Sequence, residues 1–147
     1  MKVAVLMGSP NDKAKMSAAT EALESFGVEA TEHVLSAHRT PQKVAEFARN
    51  ARAAGYSVVI CGAGMAAHLA GAVAGQTTLP VIGVPLSGGA IGGFDALLAT
   101  VQMPRGVPVA TVAVDGALNA ALLAVQILAV TDPVLADRMA EYRRQWL

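Results

Sequence analysis

Apolar runs of strand length alternate with helix-like segments along the chain. Val3 to Met7 contains no polar residue and reads as a buried strand. Ala14 to Phe26 reads as a helix with Ala18, Leu23 and Phe26 near one face, closed by Gly27 as a helix-ending residue. Glu29 to Leu35 reads as a second strand. Pro41 to Ala54 follows as a helix, with Val44, Phe47, Ala48 and Ala51 spaced i, i+3, i+4, i+7. The pattern then predicts a strand over Ser57 to Ile60, a small-residue helix over Ala66 to Ala74, and a strand over Val81 to Val84. A short helix over Phe94 to Val101 and a fifth strand over Val109 to Val114 come next. A helix from Leu118 to about Val130 and a more charged terminal helix, about 133–147 and opened by Asp132-Pro133, complete the series.

Nearly all-apolar strands separated by helices imply a parallel sheet covered on both faces. The expected architecture is therefore a single α/β domain over 1–147, three-layered, of flavodoxin-like or Rossmann-like type. No linker, repeat or low-complexity tract interrupts it. The segment Ala117 to Val130 carries no charge. A helix apolar all round must be buried all round, which points to a homo-oligomer.

Composition sharpens that expectation. Of 147 residues, 54% are hydrophobic and only 15% charged, against about 25% in ordinary domains; mean hydropathy is +0.47. The surplus reads as subunit interface. Membrane insertion is disfavoured, because no apolar run reaches the ~20 residues of a spanning helix without Gly, Pro or charge. The chain enters its first strand at Lys2-Val3, leaving no room for a signal peptide. Net charge is zero and no basic run exists, which argues against a nucleic-acid partner. Cys61 is the only cysteine, excluding an intrachain disulfide and a multi-cysteine metal site. It follows Val58-Val59-Ile60 and reads as a small buried thiol. These features together describe a soluble cytoplasmic protein.

Ligands of an open parallel sheet bind at the carboxyl ends of its strands, and the unusual loops fall there. The most informative is Ser36-Ala37-His38-Arg39-Thr40-Pro41. Thr40 suits an N-cap, and Pro41 the first helical position, where its missing N–H costs nothing. His38 is thereby held beside a permanent cation just outside a helix start, an arrangement suited to proton transfer next to a bound anion. On its own it is equally consistent with a histidine that merely titrates in water. After the first strand, Gly8-Ser9-Pro10-Asn11-Asp12 offers a hydroxyl and backbone amides for a phosphate or sugar. Asp12 suits either vicinal hydroxyls or a helix cap. Arg39 can hold phosphate through its planar fork, and Gly62 and Gly64 allow close backbone approach to a ligand. His68, early in the third helix, either lines the same pocket or packs as a hydrogen-bonded histidine. His33 reads as structural or exposed. Gly62-Ala63-Gly64-Met65-Ala66-Ala67 matches the dinucleotide pattern GxGxxA, but the next strand ends without the acidic residue that would hold a ribose. Metal, redox, serine-hydrolase and P-loop motifs are lacking.

Several motifs in order carry more weight than any one. Met7-Gly8-Ser9 with Asp12 and Met16, Ser36 to Pro41, Gly62-Ala63-Gly64 and Ala66-Ala67-His68-Leu69 come first. Leu79 to Pro85, Val101-Gln102-Met103-Pro104 and Asn119 to Leu123 follow. Together they resemble the bacterial N5-carboxyaminoimidazole ribonucleotide mutases of purine biosynthesis, over Val3 to Ala129. The resemblance implies an isomerase that moves a carboxylate from the exocyclic nitrogen of an aminoimidazole ribonucleotide to its ring carbon, with no cofactor and no metal. By that likeness His38 is the general acid and base, and Ser9, Asp12 and Arg39 bind the ribose phosphate. Ser36, Gly64 and His68 line the pocket, and eight subunits assemble. The chain departs from the family at Asn11 (usually Ser), Met65 (usually Gly) and Ala70 (usually Pro). Its Ala113 to Ala117 stretch is shorter than usual by about two residues. The related carboxylases, which use free CO2, usually carry Lys where this chain has Arg39. A non-catalytic nucleotide-binding module would need the phosphate loops but not His38.

Overall fold

A computed structural model describes residues 1–147. Five parallel strands, β1 (Lys2–Met7), β2 (Glu29–Val34), β3 (Tyr56–Gly64), β4 (Val81–Leu86) and β5 (Ala110–Thr111), form one sheet in the order β2-β1-β3-β4-β5. That is the doubly wound order of the flavodoxin type, with its switch point between β1 and β3. The helices are α1 (Lys13–Ser25), α2 (Pro41–Asn50), α3 (Leu69–Ala74), α4 (Phe94–Val101), α5 (Ala117–Ala129) and α6 (Pro133–Arg143), with 3-10 turns at Pro10–Asp12 and Arg144–Trp146. The expected three-layer fold is therefore present.

The layers follow from strand alternation. Val3, Val5 and Met7 point into a core shared with Met16, Ala19 and Leu23 of α1 and with the small residues of α5. Ala4 and Leu6 point the other way, onto Val44 and Ala48 of α2 and Leu69, Ala70 and Val73 of α3. Burying each large side chain fully contributes about 1.5–3 kcal/mol. Cys61 lies in the second core at 1% exposure, and burial pushes its thiol well above the ordinary value.

Local chemistry explains the helix ends. After α1, Val28 N–H donates to Leu23 C=O and Gly27 N–H to Glu24 C=O, with Gly27 at φ +74°; this glycine-terminated motif satisfies the last carbonyls. The Asp132 side chain accepts from the amides of Val134 and Leu135 ahead of α6, and Pro133 takes the first helical position.

Several boundaries differ from the sequence pattern. The buried face of α1 is Met16, Ala19 and Leu23, leaving Ala18 exposed. α2 stops at Asn50, four residues early, and residues 51–55 turn into β3. β3 runs on to Gly64, so Gly62 and Gly64 are paired strand residues opposite Val84 and Leu86 rather than loop glycines. That pairing also disposes of the dinucleotide pattern, which needs those glycines in a turn. β4 likewise reaches Leu86, taking Pro85 with it. β5 shrinks to two residues, although Val112 N–H and Asp115 N–H still donate to Gly83 C=O and Pro85 C=O of β4.

Candidate active site

The chain at the carboxyl ends of β1, β2 and β3 builds one cavity of about 250 Å³. Gly8, Ser9 and Asp12 enter it from the end of β1, Ser36 to Arg39 from the end of β2, and Ala63 to Ala66 with His68 and Leu69 from the end of β3. All seven residues singled out from the sequence, Ser9, Asp12, Ser36, His38, Arg39, Gly64 and His68, line it.

The β2–α2 loop closes on itself. Thr40 precedes Pro41 as expected, but its hydroxyl does not cap α2. It donates to Ser36 C=O at 3.0 Å and accepts from Ser36 N–H at 3.1 Å, while Thr40 N–H donates to the same carbonyl at 2.8 Å. The Ser36 hydroxyl accepts from Arg39 N–H at 3.1 Å. The loop's polar groups thus tie its ends together and leave the His38 side chain free to face the cavity.

His38 meets His68 there. His38 Nε2 and His68 Nδ1 are 2.7 Å apart, with the rings at 80°. One of these nitrogens must carry the proton and the other a lone pair. His68 is the residue that precedes α3, not one within it, because α3 starts only at Leu69. The start is delayed by a tight turn in which Ala67 N–H donates to Met65 C=O and His68 N–H to Ala66 C=O, at 2.8 and 2.9 Å.

The other side of the cavity is charged. Arg39 makes no ion pair; its Nη2 lies 3.5 Å from Gly8 C=O, pointing the guanidinium across the end of β1. Ser9 accepts from Asn11 N–H at 3.2 Å and heads the 3-10 turn. Asp12 stands ahead of α1 without capping it. Burial raises its carboxyl above the ordinary value, against hydrogen bonding from the Ser9 backbone and the attraction of Lys15 and Arg39. A carboxylate with no cap to serve is available to accept from hydroxyls. The cavity thus brings an imidazole pair together with a cation, a hydroxyl and a carboxylate, groups that can exchange a proton, hold an anion and accept from hydroxyls.

His33 lies away from this cavity, half-buried. Its Nε2 is 3.1 Å from both Thr31 Oγ1 and Tyr56 OH, and burial, then Lys2, lowers its pKa.

A family model described as AIR carboxylase matches residues 2–146. The chain belongs to that family. A protein of Saccharolobus solfataricus named N5-carboxyaminoimidazole ribonucleotide mutase is 52% identical over 141 residues, 96% of this chain and 89% of that one. The protein of that name in Escherichia coli is 50% identical over 145 residues, 97% and 86% of the two chains. Among solved structures, Treponema denticola PurE superposes with a TM-score of 0.89 at 30% identity, covering 98% of this chain and 90% of that one.

Sequence reasoning missed the Lys15–Ser87–Asp115 cluster beside the site. Ser87 N–H donates to Asp115 Oδ1 at 2.8 Å, its hydroxyl donates to Asp115 Oδ2, and Lys15 Nζ donates to the Ser87 hydroxyl at 2.6 Å. Burial acts to raise the Asp115 carboxyl, but the Ser87 and Lys15 contacts outweigh it and hold the group below its ordinary value. The only hint in the sequence is the shortened stretch around Asp115; no motif links three residues so far apart.

Proposed function

We propose that this protein moves the carboxylate of N5-carboxyaminoimidazole ribonucleotide from the exocyclic nitrogen to the ring carbon, as an isomerase of purine biosynthesis. The observation that carries this reading is one cavity with the His38–His68 pair on one wall and Arg39, Ser9 and Asp12 on the other. The mutase name of close relatives supports it.

Protonated His38 delivers its proton to the exocyclic nitrogen as the N–C bond breaks, and CO2 departs without the bonding pair. The ring carbon then attacks CO2 through the electron-rich aminoimidazole. Neutral His38 removes the proton from that carbon and returns to its starting form. One imidazole serves both transfers, giving and taking one proton per turnover. His68 holds the His38 ring through their shared hydrogen bond. Arg39 binds the phosphate, Asp12 accepts from ribose hydroxyls, Ser9 completes the sugar-phosphate contact, and Ser36 and Gly64 shape the wall. The reaction needs no metal or cofactor. We read the active form as a cytoplasmic homo-oligomer, an octamer by likeness to the family.

The test is to supply N5-carboxyaminoimidazole ribonucleotide, or aminoimidazole ribonucleotide with bicarbonate, and follow imidazole absorbance. Product from the first substrate without added bicarbonate is expected. Product from the second alone would overturn the assignment in favour of a carboxylase.

A further inference from the structure

The proposed reaction leaves the Lys15–Ser87–Asp115 cluster without a task. Lys15 lies in the first turn of α1, three residues on from Asp12, and residues at that spacing stand on one side of a helix. A cation there opposes the helix dipole, so its place needs another cause. Lys13 has one, since its Nζ is 3.2 Å from Glu32 Oε2 on β2. Lys15 turns instead to the end of β4. It donates to Ser87 C=O and, at 2.6 Å, to the Ser87 hydroxyl, with Asp115 Oδ1 3.6 Å away. Three acceptors match the three N–H groups of an ammonium. Asp115 reaches them at φ +57°, and with Met65 at +50° it is one of two non-glycine residues in a region that L side chains adopt rarely. Such backbone persists where surrounding contacts over-determine it. The ammonium is held in place, unlike that of an ordinary surface lysine.

The group that feels this charge is Asp12. Its carboxyl leans over the end of β1, where a methyl added to Gly8 would lie 3.8 Å from Oδ2 and 3.9 Å from Ala63 Cβ. Burial there works against ionisation, and the cations that oppose it are Lys15 and Arg39. Lys13 is engaged by Glu32, and Asp115 by the Ser87 amide and hydroxyl; His38 and His68 share the cavity. Once a phosphate engages Arg39, that cation is neutralised and a second anion stands near Asp12. A protonated Asp12 would lose acceptor capacity toward the ribose. We propose that Lys15 is a positioning residue of the sugar site, its ammonium pinned by Ser87 and Asp115 so that Asp12 stays a hydroxyl acceptor while the substrate's phosphate engages Arg39. This inference rests on the mutase reading, which supplies the ribose phosphate.

The test follows KM and kcat against pH for N5-carboxyaminoimidazole ribonucleotide with the full chain. Lys15→Gln can still donate to Ser87 but carries no charge. It should raise KM several-fold with kcat little changed. The acidic limb of 1/KM should move to higher pH, because Asp12 then takes up its proton more readily. Lys15→Arg should restore both. In an Asp12→Asn background, Lys15→Gln should change KM far less. A purely structural role would lower Tm and leave the acidic limb where it is in the parent, and that result would overturn the proposal. An equal rise in KM in the parent and Asp12→Asn backgrounds would overturn it too. Either result in an active enzyme leaves the mutase reading intact, whereas a parent that cannot convert the substrate would overturn both.

Discussion

His38 and His68 share one hydrogen bond of 2.7 Å, so the pair holds a transferable proton in a fixed place. His38→Asn keeps polarity and approximate size but cannot shuttle that proton. The expected result is a fall in kcat of about 10²–10⁴-fold, the usual yield of a general acid–base, with ligand binding largely retained. Near-normal steady-state turnover would remove His38 from the reaction. Asp12 makes a different prediction. Its carboxyl is raised by burial, against the Ser9 backbone, Lys15 and Arg39, so it binds a proton more readily folded than unfolded. The ionised group therefore opposes folding at neutral pH, and the opposition fades as pH falls through the folded value. Asp12→Asn should raise Tm at pH 7, by less at pH 4, while weakening substrate binding. A drop in Tm at pH 7 would contradict the burial argument. Adjacency made His38 and Arg39 legible in the sequence. The contact between His38 and His68 was not, because it depends on a strained turn at Met65 that no local preference predicts.

At the level of elements, the order of strands and helices followed from hydrophobic period, since each run had to bury a face. Their ends did not follow. β3 outlasts its apolar run because Gly62 to Gly64 find ladder partners in β4, and pairing across a sheet leaves no mark in one strand's own sequence. Thr40 carried the right residue type for a cap, yet its hydroxyl is taken by Ser36 four residues earlier. Two glycines show how closely elements approach. A methyl on Gly83 would run into Thr100 Cγ2 and lie 3.1 Å from Val109 Cγ1 and 3.3 Å from Ala70 Cβ. Thr100 is 2% exposed and fixed by donating to Ala96 C=O at 2.7 Å. A methyl on Gly62 would meet the side chain of Met16, which is flexible and can yield. Gly83→Ala should cost about 1–3 kcal/mol, as overpacking does, and Gly62→Ala clearly less. Urea midpoints give the ranking, and the reverse order would show that α4 rides loosely on the sheet.

For the whole molecule, the low charge content indicated more apolar surface than one chain can cover, but α5 is a poor place to look for it. Its Ala120, Ala121, Ala124 and Val125 are buried at 0% exposure, and Leu122, Leu123 and Ile127 pack onto the same core. A lysine at Leu123, which is partly buried against that core, would therefore disturb folding as well as any assembly. The uncovered apolar face is on α4, where Phe94, Leu98 and Val101 recur at i, i+4, i+7 with exposures of 59, 42 and 46%, and Ile91 stands just ahead at 60%. One face this apolar calls for a partner, and a second copy with the same low charge is the natural one. Leu98→Lys places a charge in that face without touching the monomer's core. Light scattering should find the parent protein larger than a dimer and the variant shifted to smaller species, with unchanged far-UV circular dichroism separating lost assembly from lost folding. A parent protein that stays monomeric at micromolar concentration would overturn the assembly reading and leave the α4 face without a purpose.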